Sequence, residues 1–126
     1  MSSIIANESL IKGLIVLTVT ASLTPSFGQE AKQGIGIIGI GNSSCGLWTS
    51  SRSGQDAESF AVVTGAQGWI HGFITAMAVE SDKVNAAIHR TDPKGLDAWI
   101  DNWCKANPLK TIARAAGALA VELTNQ

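Results

Sequence analysis

FAVVTGAQGWIHGFITAMAV, residues 60–79, decides the fold. Val62, Trp69, Ile70, Phe73, Ile74 and Met77 recur at three- and four-residue steps, the period of a helix with a buried face. No Asp, Glu, Lys or Arg interrupts the stretch, which predicts a central helix largely covered by the rest of a small domain. Gly68, Gly72 and Ala76 also fall at four-residue steps, predicting a shallow groove where a second backbone approaches closely. Each glycine costs a helix about 1 kcal/mol relative to alanine, so close packing has to offset it.

Working outward, Asn42-Ser43-Ser44 can cap a short helix over residues 45–52, with Cys45, Trp48 and Arg52 along one side. Ser53-Gly54-Gln55 reads as a loop. Asp56 caps the central helix, Glu58 favours its first turn, and the helix ends near Glu80. Residues 81–91 are polar and ambiguous: Val84, Ala87 and Ile88 can form one helical turn, or the whole can be a loop. Asp92-Pro93 is a cap followed by proline at the first helical position. It starts a helix to about Ala106 that buries Leu96, Trp99, Ile100 and Trp103. Asn107-Pro108 repeats the device and predicts a last helix to about Leu123, striped by Leu109, Ile112, Ala116, Leu119 and Leu123. Strand alternation and internal repeats are both missing. The expected architecture is all-α, a small bundle of about four helices.

Residues 1–28 read as a signal peptide. The apolar run over 13–23 is broken by Pro25, and Ser26 and Gly28 supply small residues ahead of a cleavage site before Gln29. About eleven apolar residues are too few to cross a bilayer, so no stable membrane insertion is expected after processing. Residues 29–42 read as a Gly/Ile-rich flexible arm and 43–126 as the helical domain. Gly34, Gly36 and Gly39 spell G-x-G-x-x-G, but a strand must lead into that fingerprint and a helix must open from it. Here Gly41-Asn42-Ser43-Ser44 follows where the helix should propagate, so no nucleotide is assigned to it.

Without Lys12 and Glu8, the chain carries eight Lys+Arg against nine Asp+Glu. This balance gives no electrostatic footprint for nucleic acid or an anionic membrane. Two cysteines in an exported domain most simply form one disulfide, Cys45–Cys104. Closing a loop of roughly sixty residues stabilises a fold by about 4 kcal/mol on the chain-entropy account.

Chemistry is sparse. His71 could act as a general base, which needs a positioned partner; Asp97 or Asp101 are the carboxylates proposed for that role. Asp97 and Asp101 form an i, i+4 pair that reads as a solvated face opposite Trp99 and Trp103. His71 and His89 do not make a metal signature, and neither cysteine has C-x-x-C spacing; no cofactor or metal is assigned. Trp69, Trp99 and Trp103 fit apolar stripes. Trp48, among polar neighbours, reads as partly exposed, and with His71 it is a candidate partner contact.

The framework Ser44-Cys45-Gly46-Leu47-Trp48, Trp69-Ile70-His71-Gly72-Phe73 and Trp103-Cys104-Lys105-Ala106-Asn107-Pro108-Leu109 resembles a group of small exported α-proteobacterial proteins. It also resembles the HdeA-type acid-stress periplasmic chaperones and the immunity proteins that neutralise type VI secretion amidase effectors. The resemblance implies a disulfide-closed helical fold, with Cys45 and Cys104 in a structural role. The expected function is therefore a periplasmic or secreted, non-enzymatic protein that binds a protein partner. An acid chaperone and a small hydrolase using His71 are the alternatives.

Overall fold

The computed structural model describes residues 34–126. The expected signal peptide, and the arm as far as residue 33, lie outside the described residues. The rest is all-α, as expected. It contains α1 (Cys45–Ser53), α2 (Ala57–Glu80), α3 (Asp82–Ile88), α4 (Pro93–Ala106) and α5 (Ile112–Thr124). A disulfide joins Cys45 to Cys104, with 4.8 Å between their Cα atoms.

The helices begin where short polar side chains can take up the free amides of a first turn. Ser44 accepts from Leu47 N, Asp56 from Ser59 N, and Asp92 from Gly95 N with Pro93 behind it. The ambiguous stretch resolves the same way. Ser81 ends α2, and its hydroxyl accepts from Val84 N to start α3, which buries Val84 and Ala87. That fifth helix is the difference from the expected count of about four.

The second cap-plus-proline reading is corrected. Asn107 ends α4, its Nδ2 donating to Trp103 O, and α5 starts only at Ile112 under a Thr111 cap. The intervening turn is committed elsewhere. Pro108 O accepts from Gly46 N at 2.9 Å, Lys110 O accepts from Cys45 N at 2.7 Å, and Ser43 O accepts from Ile112 N at 2.9 Å. The segments leading into α1 and α5 thus satisfy each other's orphan amides across the Ser44–Thr111 bridge. Leu109, placed in the stripe by its spacing, is 94% exposed on that turn. Ile112, Ala116, Leu119 and Leu123 are buried as expected.

The central helix is the larger correction. α2 buries only Ala66, Ile70 and Ile74, with Val63, Trp69, Phe73 and Met77 partly covered. α1, α3, α5 and the turn over Gly39–Asn42 all pack against it, yet they leave its small-residue side open. Gly68, Gly72 and Ala76 are exposed, and a Cβ at either glycine would meet nothing within 4 Å. No second backbone of the described residues lies in that groove.

The end of the arm is held in place. Gly39–Asn42 forms a 3-10 turn, Trp69 Nε1 donates to Ile38 O at 2.9 Å, and Ile40 packs against the core. Gly41 is buried under the Trp69 indole, where a Cβ would overlap ring atoms. Ile35 and Ile38 remain exposed.

Three outcomes are expected in denaturant and thermal unfolding. Cys104→Ser lowers stability by about 2–5 kcal/mol, the usual effect of removing a native disulfide from a small domain. Gly72→Ala raises stability by about 1 kcal/mol because the helix gains and nothing clashes, whereas Gly41→Ala destabilises through Trp69.

A pH effect follows from Asp56. Its carboxyl is held below the ordinary 3.8 by the amide and then the hydroxyl of Ser59. A depressed pKa gives stability present above the unfolded value and lost as pH falls through the folded one. The melting-temperature gap between wild type and Asp56→Ala is therefore expected at pH 7 and should narrow below about pH 3.8.

Candidate functional site

Asp97 and Asp101 stand one turn apart on α4, and each is met by a pair of side chains with the same i, i+4 spacing on another helix. Asp101 receives Trp48 and Arg52 of α1. Trp48 Nε1 donates to Oδ1 at 2.8 Å, Arg52 Nε to Oδ1 at 2.9 Å, and Arg52 Nη2 to Oδ2 at 2.7 Å. The guanidinium also lies over the Trp48 ring, 5.2 Å from its centroid. Hydrogen bonding to Asp101 raises the Arg52 pKa above its ordinary value against partial desolvation, with Coulombic help from Asp101 and Asp97.

Asp97 receives Gln67 and His71 of α2. Gln67 Nε2 donates to Oδ2, and His71 Nε2 lies 2.9 Å from Oδ1. An ionised carboxylate only accepts, so Nε2 carries the proton and Nδ1 is the free ring position. Asp97 is 7% exposed, while the His71 side chain keeps 30%. The ring borders a crevice of about 190 Å³ with an Ile74 and Leu96 floor and Thr75, Thr91 and Asp92 at its rim. Thr75 Oγ1 spends its donor on His71 O at 2.7 Å.

Two expectations are corrected. Trp48 is fully buried, so it offers no contact area to a partner; its indole N–H, which had no visible acceptor in its own stretch, is satisfied by Asp101 from α4. Asp97 is buried and not solvated, whereas the Asp101 side chain keeps 35% of its surface exposed. They share α4's inner side with Leu96, Ile100 and Cys104, and Trp99 and Trp103 flank the core half-covered. Of the two carboxylates considered for His71, the structure brings Asp97 to it and gives Asp101 to α1. Gln67 and Arg52 were not singled out as site residues. The available signal was the shared spacing: Trp48/Arg52, Gln67/His71 and Asp97/Asp101 are all four apart.

His89 caps the C-terminus of α3 and is exposed. Among the described residues no group of three His, Cys, Asp or Glu side chains could hold a metal ion. Gly34 and Gly36 precede the 3-10 turn Gly39–Asn42, so the helix that a pyrophosphate site requires does not open around Gly39. No helix among the described residues is long and apolar enough to cross a membrane.

Comparison with protein-family models, curated proteins and solved structures finds no match.

The Asp101 contact is open to a double-mutant cycle. Asp101→Ala leaves the buried Trp48 N–H without an acceptor, and the expected loss is about 1–3 kcal/mol. Trp48→Phe removes that donor, so Trp48→Phe/Asp101→Ala should cost measurably less than the two single changes together.

Proposed function

We propose that this chain is an exported, non-enzymatic protein that acts by binding another protein, as an immunity-like inhibitor or a stress-related binding protein. The observation that carries this reading is the open side of α2. A helix apolar around its whole circumference ordinarily lies buried, yet this one leaves Gly68, Gly72, Ala76, Phe60 and Val79 exposed. Between Glu58 and Glu80 it offers solvent no Asp, Glu, Lys or Arg. A contiguous uncharged face on a small domain is the kind of surface that marks a contact site. The disulfide supports export, since such bonds persist in oxidising compartments, and the resemblance of the cysteine framework to periplasmic inhibitors and chaperones points the same way.

The test is site-specific photo-crosslinking from Gly72 and, as a control, from Lys83 on α3, in cells expressing the full chain. A discrete adduct from Gly72 and none from Lys83 is expected. Equal labelling from both positions would sink the reading. The acid-chaperone form of the proposal has its own readout, light scattering of an acid-sensitive client at about pH 2–3, where neutralised carboxylates weaken native contacts.

A second reading, a small hydrolase, is favoured by one observation: His71 stands beside a crevice with a buried carboxylate fixing its ring. There Nδ1 would be the general base and Asp97 the orienting group. Under the binding reading, His71→Gln leaves the Gly72 adduct intact. A hydrolytic activity of the wild-type chain that His71→Gln abolishes would replace the binding reading by this one.

A further inference from the structure

Charge is unevenly distributed along the described chain. Residues 34–101 carry seven Asp+Glu against four Lys+Arg, whereas residues 102–121 carry Lys105, Lys110 and Arg114 and no acid. Two of those cations, Lys110 and Arg114, border a groove of about 440 Å³ between the end of α4 and α5. Its wall is Trp103, half-buried, and its floor is Ala113 and Gly117, with Val121 61% exposed at the far end. Gly117 faces open space, so the groove owes its depth to the missing side chain. The ion pairs among the described residues are Arg52–Asp101 and His71–Asp97, which leaves Lys110 and Arg114 without a counter-charge there.

We infer that this groove is a second contact surface, separate from the open side of α2, and that it takes an amphipathic protein segment whose apolar side chains are flanked by carboxylates. Its shape and charge together select that partner. The trough can seat a row of apolar side chains against Trp103 and Val121, and the rim places two cations where neighbouring carboxylates would lie. A helix laying its apolar face into a groove is a recurrent recognition mode, read as anchors at three- and four-residue steps. Rim charges of this kind set which partner is accepted and how fast it arrives. An anionic bilayer is the weaker fit, because basic residues contribute only about 1 kcal/mol each at such a surface and a flat interface leaves a concave floor unfilled.

Isothermal titration of the full chain tests this with two probes, a short helical peptide whose leucine stripe is flanked by glutamates and its twin with every glutamate changed to glutamine. The acidic peptide should bind, and the glutamine twin at least about ten-fold more weakly. Lys110→Glu/Arg114→Glu should weaken the acidic peptide by about the same factor, and Lys83→Glu on α3 should leave it unchanged. Gly117→Leu, whose Cβ would meet nothing within 4 Å, fills the floor and should abolish binding of both peptides, while circular dichroism confirms the fold. Failure of the wild-type chain to bind the acidic peptide would overturn the inference. So would unaltered binding by the charge-reversed chain, or tighter binding to phosphatidylglycerol vesicles than to the peptide. Loss of peptide binding with the Gly72 adduct retained would implicate this groove alone; loss of the adduct with peptide binding retained would implicate α2 alone.

Discussion

The disulfide Cys45–Cys104 ties the first turn of α1 to the last turn of α4, and the remaining polar contacts follow from the alignment it imposes. With those two turns joined, α1 and α4 run antiparallel. Trp48, one turn along α1, then meets Asp101, one turn back along α4. Arg52, a further turn on, reaches the other oxygen of the same carboxylate. One more turn back on α4 brings Asp97 beneath α2, where Gln67 and His71 accept the same geometry. A covalent link, an indole, a guanidinium and an imidazole thus make one ladder up the inner side of α4. Every rung repeats the three- or four-residue step at which helix faces recur.

Such a ladder fixes register more than it adds stability. Apolar side chains tolerate a helix sliding or turning by part of a step, because dispersion is nearly indifferent to which methyl meets which. A buried carboxylate is not indifferent, since displacing it from its donors leaves charge and N–H groups unsatisfied together. Five alanines, Ala66, Ala87, Ala115, Ala116 and Ala120, stand among the buried residues of the core. These offer few ridges to lock two helices by shape. Buried Asp97 supplies discrimination that the alanines lack, a role for buried polar groups that is known to set register in other helical assemblies, and the more exposed Asp101 adds the acceptor that the buried Trp48 N–H needs.

The same facts explain what the sequence could and could not say. Ser44, Asp56 and Asp92 were legible as helix starts because an N-cap acts on amides two or three residues away, and such local physics is printed in the chain. The Cys45–Cys104 pairing was legible because only two cysteines exist. Asn107-Pro108 misled because its local chemistry suits a helix start, while Pro108 O and Lys110 O answer to α1, more than fifty residues earlier in the chain. Asp97, Asp101 and Trp48 misled for a related reason. A carboxylate surrounded by polar sequence neighbours looks solvated until the opposite helix is known, and an indole with polar neighbours looks exposed until its acceptor arrives from elsewhere. Their matched i, i+4 spacing was visible, but spacing alone does not say which pairs face one another.

The open side of α2 is the counterpart of this arrangement. A 24-residue helix in a domain of this size would ordinarily be the element whose burial holds everything else. Here the chain ends of α1, α4 and α5 are already held by the disulfide and the exchange of backbone hydrogen bonds at Ser44–Thr111. α2 commits its Ala66–Ile70–Ile74 side to the core, half-covered Val63, Trp69, Phe73 and Met77 to the core's margin, and Gln67 and His71 to Asp97. Its other side is released from packing duty. Solubility alone would fill a released face with lysine and glutamate, which helices accept at no cost in propensity. Glycine at positions 68 and 72 is the opposite choice, because each weakens the helix and presents bare backbone to solvent. Both positions cost the helix stability, and neither serves a contact among the described residues.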